Sequence, residues 1–168
     1  MRKSSLVALC LLVCTVAFAQ EEAKKPLSPP QQAKYTTNGK TITIDYSAPS
    51  KRGRVIFGGL VPYDKVWRTG ANAATTLTTD VDLMIGSLHV PAGKYSLFTI
   101  PGEKEWTLIV NKQTGMWGTR YDESQDLGRV KMKVSTVNEP VEMFAIGIGP
   151  TLSFTWDTTK AWIPVMVH

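Results

Sequence analysis

Cysteine is nearly absent from this chain. Of 168 residues only Cys10 and Cys14 carry thiols, and both sit in an apolar run at the amino end. Histidine is as scarce, with only His89 and His168. No Gly-x-Ser-x-Gly elbow occurs, and no stretch keeps a helical period. Each absence removes a class of function. Without cysteines beyond the amino-terminal run, a disulfide scaffold, a cysteine nucleophile and thiolate metal sites are excluded. Two histidines, one of them terminal, are too few for a histidine-built zinc centre. Without the elbow, they give little footing to a Ser–His–Asp hydrolase. No metal and no cofactor is expected. The formal net charge of +5 is scattered, with no run longer than Lys51-Arg52-Gly53-Arg54, so a nucleic-acid partner is not expected either. That short run reads as a solvated turn.

What is present begins with an export signal in outline. Arg2 and Lys3 precede an apolar stretch from Leu6 to Phe18, and Ala17-Phe18-Ala19 forms an Ala-x-Ala exit before Gln20. The apolar run falls short of the roughly 20 residues needed to cross a bilayer, so no membrane span is expected. Residues 1–19 therefore read as a signal peptide of an exported (periplasmic or secreted) protein. Residues 20–34, dotted by Pro26, Pro29 and Pro30, read as a flexible leader. The remaining 35–168 are long enough for one packed domain.

That domain reads as all-β. Asn38-Gly39 supplies the positive φ angles of a two-residue hairpin turn, with Ile42, Ile44 and Tyr46 alternating behind it. Further strands are predicted over Ala74 to Thr79, Val81 to Ile85, Leu88 to Val90, Lys94 to Ile100 and Trp106 to Asn111. Val130, Met132 and Val134 alternate with Lys131, Lys133 and Ser135. Phe144, Ile146 and Ile148 repeat the pattern, as do Leu152, Phe154 and Trp156, and Ala161 to Val167 closes the chain. About nine strands with frequent turn signals predict a single antiparallel β-sandwich of jelly-roll type. At most one turn of helix fits, near Tyr63 to Arg68 or Gln113 to Tyr121.

Phe57 to Leu77 gathers more special-purpose residues than any other stretch, and long irregular segments between strands are where sites usually sit. Tyr63, Asp64, Trp67, Arg68 and Asn72 are the residue types of a polar-aromatic pocket. Arg68 is suited to neutralising an anion or stacking on a ring, and Asn72 offers both donor and acceptor. Trp117 and Tyr121 are candidates for an opposite wall if the two irregular segments meet. The structural alternative is a loop that covers one end of the sandwich, with Arg68 bonded to backbone carbonyls. Asp122-Glu123-Ser124-Gln125-Asp126 is permissive for a hard cation but lacks the spacing and glycine of a calcium loop.

Two blocks carry a resemblance. Phe57-Gly-Gly-Leu-Val-Pro-Tyr-Asp-Lys-Val-Trp-Arg-Thr-Gly-Ala-Asn72 is the first. Val90-Pro-Ala-Gly-Lys-Tyr-Ser-Leu-Phe-Thr-Ile-Pro-Gly102 is the second, and Glu105 to Lys112 extends it. With these the chain resembles the DUF2911 family, exported bacterial proteins of unknown function, from about Tyr35 to Val167. The resemblance implies one exported domain and transfers no activity. Two functions therefore stay open. One is a non-catalytic binding module for a small molecule, a glycan or a protein partner. The other is a carboxylate-based hydrolase that uses Asp64 or Asp122 with Arg68 as electrostatic stabiliser.

Overall fold

The computed structural model describes residues 27–168. The expected signal peptide, and the part of the expected leader before Leu27, lie outside the described residues. Nine strands follow in order: β1 (Pro30–Thr37), β2 (Lys40–Ser47), β3 (Ala71–Thr79), β4 (Leu83–Ile85), β5 (Leu88–Val90), β6 (Gly93–Ile100), β7 (Glu105–Asn111), β8 (Asp126–Ile148) and β9 (Thr151–Val167). All pair antiparallel in one continuous sheet ordered β1-β2-β3-β6-β7-β8-β9-β4-β5.

The all-β expectation holds, and local chemistry explains most of the elements. Asn38 (φ 48°) and Gly39 (φ 72°) make the first hairpin turn, which needs two residues that tolerate the left-handed region. Strand β1 begins at Pro30, inside the stretch expected to be leader. A proline is acceptable there because an edge strand leaves its outward N–H unpaired anyway. The segments expected as separate strands over 130–135 and 144–148 are one long strand, β8, and Leu152 to Val167 likewise forms β9 alone. Between Thr136 and Val141 the residues of β8 face only Thr158. Pro140 cannot donate to the ladder in this stretch, so β8 bulges and bends instead of ending.

The bend lets one sheet enclose one core. The first half of β8 pairs with β7. Its second half returns over β2, where the Ile146 N–H donates to the Tyr46 hydroxyl at 3.2 Å and Phe144 meets the Tyr46 ring edge-on. Ile42, Ile44, Leu77, Leu97, Trp106, Leu108, Phe144, Phe154 and Trp156 pack together from both halves. The residues after β2 stitch the seam, since the Lys51 N–H donates to the Glu142 carbonyl at 2.7 Å and the Phe144 N–H to that of Pro49 at 2.8 Å. The only helical turn among the described residues is a 3-10 turn at Glu123–Gln125, in neither of the two places expected. Asp122 caps it by accepting from the Ser124 N–H, as a short acidic side chain does at a helix start.

A second, small core lies on the other face of the sheet. Ala74, Phe98 and Ile109 are covered there by Met116 and Tyr121. The irregular segment from Lys112 to Asp122 is thereby fastened across the outer face of β3, β6 and β7.

Candidate functional site

Trp67 organises the loop between β2 and β3. Its N–H donates to the Thr99 carbonyl at 2.7 Å and its carbonyl accepts from the Thr99 N–H at 2.9 Å. This short bridge prolongs β6 pairing beyond the end of β3 and sends the indole inward. The ring meets Phe57, Trp106 and Phe144 edge-on and stacks on Trp156 at 6.0 Å. Such pairs hold aromatic side chains in one orientation. Trp67 is therefore a plug at the end of the core, with one side left facing solvent.

Arg68 follows immediately. It is half-buried, and its Nε is shielded from water with no hydrogen-bond partner among the described residues. The backbone then takes an unusual course. Thr69 (φ 53°) and Asn72 (φ 59°) both lie in the left-handed region, which is costly for a β-branched threonine. Thr69 is held there by its hydroxyl, 3.0 Å from that of Thr99, and by its carbonyl, which accepts from the Thr75 hydroxyl at 2.7 Å. Asparagine tolerates that conformation, which gives Asn72 a backbone reason to be present.

The two irregular segments do meet. The Asn72 carbonyl accepts from the Gly118 N–H at 3.1 Å, and the Ala74 N–H donates to the Met116 carbonyl at 3.2 Å. A Cβ at Gly118 would lie 2.2 Å from the Arg68 Cδ, so only glycine admits the arginine stem at this crossing. Arg68 thus stands between two clefts. One, of about 410 Å³, is lined by Val66, Trp67, Arg68, Gly118, Thr119 and Tyr121.

The other cleft, of about 470 Å³, is floored by Trp67, Trp156 and Val61 and walled by Arg52, Arg54, Arg68 and Asn72. Arg52 donates to the Leu27 carbonyl at 2.6 Å, and Arg54 to the carbonyls of Ser50 and Lys51 at 2.6 and 3.0 Å. Carbonyls hold these guanidinium groups in place without cancelling their charge. Among the described residues none of the three arginines makes an ion pair, and no Asp or Glu lines either cleft. A further hollow of about 420 Å³ lies by β8 and β9, beside Arg129, Lys131, Lys133 and Trp162. Its cations are engaged: Lys131 by Glu105, Arg129 by Glu123 and Asp126, and Lys133 over the Trp162 ring.

The remaining candidates stand apart from the arginine cleft. Tyr63 lies against Gly58, where a Cβ would come within 2.9 Å of its ring. The exposed Asp64 (φ 58°) ties the loop down through its N–H to the Pro101 carbonyl at 2.9 Å. Trp117 is 54% exposed and lines neither cleft. Tyr121 packs on Phe98 and donates to Asp126. The Asp122–Asp126 carboxylates are committed to the cap, to Asn111 and to Arg129. Sequence reasoning missed Arg52, Arg54 and Trp156. The basic run was visible, but nothing in the order of residues places it opposite Arg68.

Burial pushes the Tyr121 hydroxyl up to about 12, and its hydrogen bond to Asp126 adds to the rise while Arg129 opposes it. An unfolded tyrosine titrates near 10, so the folded state favours the neutral phenol. Its contribution to stability is complete below pH ~10 and is lost as pH rises through ~12. Denaturant titrations between pH 9 and 12 should show a steeper fall for the wild type than for Tyr121→Phe. Equal slopes would mean that this hydroxyl is not linked to folding.

A family model described as a protein of unknown function (DUF2911) matches residues 28–165. No curated protein and no solved structure matches the chain.

Proposed function

The chain belongs to the DUF2911 family, and from that premise we propose a non-catalytic binding module that takes a small organic anion in the arginine cleft. One observation carries this reading. Three guanidinium groups without ion-pair partners among the described residues line a tryptophan-floored cleft whose lining, among those residues, holds no carboxylate. A half-desolvated cation without a counter-charge is costly, and an anionic ligand supplies the missing partner. Arginine forks suit carboxylate, sulfonate and phosphate groups, while the solvent-facing side of Trp67 suits an apolar or aromatic body. The hydrolase alternative has less support, because neither Asp64 nor Asp122 lines a cleft that Arg68 borders. Export through residues 1–19 belongs to the same proposal. It rests on the basic head, apolar run and Ala-x-Ala exit, and protein recovered outside the cytoplasm should begin at Gln20.

The probe is 1-anilinonaphthalene-8-sulfonate, an aromatic sulfonate whose fluorescence rises when bound. The wild-type protein should bind it saturably and more weakly as salt is added. Arg68→Gln should weaken binding roughly 10- to 100-fold, the loss of one charged hydrogen bond of about 1.5–3 kcal/mol. Its thermal midpoint should be unchanged or raised, since the Nε has no partner among the described residues to lose. Arg54→Gln should weaken binding in the same direction. Equal titration curves for all three proteins would overturn the assignment of the cleft.

A further inference from the structure

A second site lies outside that cleft, on the short β4–β5 hairpin and the end of β9. Met84 pairs directly with His89 across β4 and β5, and with Met166 across β4 and β9. Directly paired residues of antiparallel strands project to the same face, with Cβ atoms about 4.5–5.5 Å apart. Leu83, Ile85, Val90 and Val165 are the buried neighbours in these strands, so Met84, His89 and Met166 share the outward face. Two thioethers and one imidazole thus stand in a row across three adjacent strands. Met166 is 58% exposed, so its long apolar side chain fills no core space.

The imidazole is oriented as well as placed. His89 Nε2 lies 3.2 Å from Asp82 Oδ2, and Asp82 Oδ1 accepts from the Ala92 N–H at 2.8 Å. That backbone hydrogen bond fixes the carboxyl group, and its other oxygen, an acceptor, faces the ring. A neutral His89 with its proton on Nε2, toward Asp82, keeps its lone pair on Nδ1, which meets no donor among the described residues. A carboxylate bonded to the far nitrogen of a histidine is the usual support that orients a ligating imidazole. Thioether sulfur is a soft donor that favours Cu(I) over Zn²⁺, Mg²⁺ or Ca²⁺.

From this row we infer a surface site for a soft monovalent cation, Cu(I) or its stand-in Ag(I), held by the sulfurs of Met84 and Met166 and the Nδ1 of His89. Met84, in the middle strand, is one strand spacing from each of the other two donors, roughly 4.8 Å, within side-chain reach of an ion between them. Asp82 is the positioning residue. The inference is independent of the anion cleft, with which it shares no residue.

The experiment titrates the purified full chain carrying Cys10→Ser and Cys14→Ser, so that no thiol competes for copper, under a reductant and without oxygen, against the coloured Cu(I) complex of bicinchoninate. One Cu(I) per chain should be withdrawn from the chelator, with excess Zn²⁺ making no difference. Met84→Leu and Met166→Leu keep the apolar volume, so the fold is retained. Each should weaken binding at least tenfold and the pair together should abolish it. Asp82→Asn should weaken it roughly 10- to 100-fold. With Ag(I), the methyl NMR signals of Met84 and Met166 should move while those of Met116, Met132 and Met143 stay. No withdrawal of copper, copper binding that survives the double leucine variant, or unmoved Met84 and Met166 methyls would each overturn the site.

Discussion

Trp67→Ala is expected to lower the stability of the protein by about 3–5 kcal/mol, the usual cost of emptying a large aromatic site in a core. For a domain of this size that is a fall in thermal midpoint of roughly 10 °C or more. The reason is the company the ring keeps. It touches Phe57, Trp106, Phe144 and Trp156, and these come from the loop between β2 and β3, β7, β8 and β9. Removing it leaves a void between the halves of the sheet that the remaining rings can fill only by leaving their rotamers. The backbone bridge to Thr99 holds the main chain in place, so the void cannot close by collapse of the loop. Trp67→Phe should recover part of the loss. Calorimetry reads both, and a loss below about 1 kcal/mol would mean that the indole is a surface wall of the cleft and not part of the core.

Gly118→Ala is expected to destabilise by about 1–3 kcal/mol, as overpacking does, and to weaken anion binding at the same time. The added Cβ would stand 2.2 Å from Arg68 Cδ, 2.8 Å from Arg68 Cβ and 2.9 Å from the Asn72 carbonyl oxygen. The segment cannot simply retreat, because the Gly118 N–H is bonded to that same carbonyl. The arginine must therefore move, and the guanidinium leaves its place in the wall. The φ of Gly118 lies outside the left-handed region, so strain in its own backbone offers no competing explanation. Combining Gly118→Ala with Arg68→Ala should recover part of the stability, since the closest contact disappears, but none of the binding. A double-mutant cycle measures this coupling. Strict additivity would show that the two residues do not crowd each other.

Much of the fold was legible because its determinants are local. Asn38-Gly39 can form only a narrow set of turns, and alternation at Val130, Met132 and Val134 assigns one face to the core whatever lies opposite. The joins were less legible. Asn138-Glu139-Pro140 has the composition of a turn, yet pairing on both sides carries β8 through it as a bulge. Of the site, Arg68 and Trp67 were readable as types. Their opposite behaviour, one a core plug and the other a cation with no ion-pair partner among the described residues, follows from which way each points from the Thr99 bridge.

The sequence alone determined that the domain is antiparallel β with turns at fixed places. It also determined that no thiol or histidine cluster is available to it, and that the 57–77 stretch holds a concentrated set of polar and aromatic groups. These are consequences of side-chain chemistry and of a period of two. Only the tertiary structure decided which distant residues share a surface. The bend in β8 folds the sheet over one core and closes the seam at Ser50 and Met143. That brings Arg52 and Arg54 to the same cleft as Arg68, and the pairing of β4 with β9 sets Met166 beside Met84. Register between strands far apart in the chain is fixed by the sum of many weak packing contacts, and no short stretch of residues carries that sum.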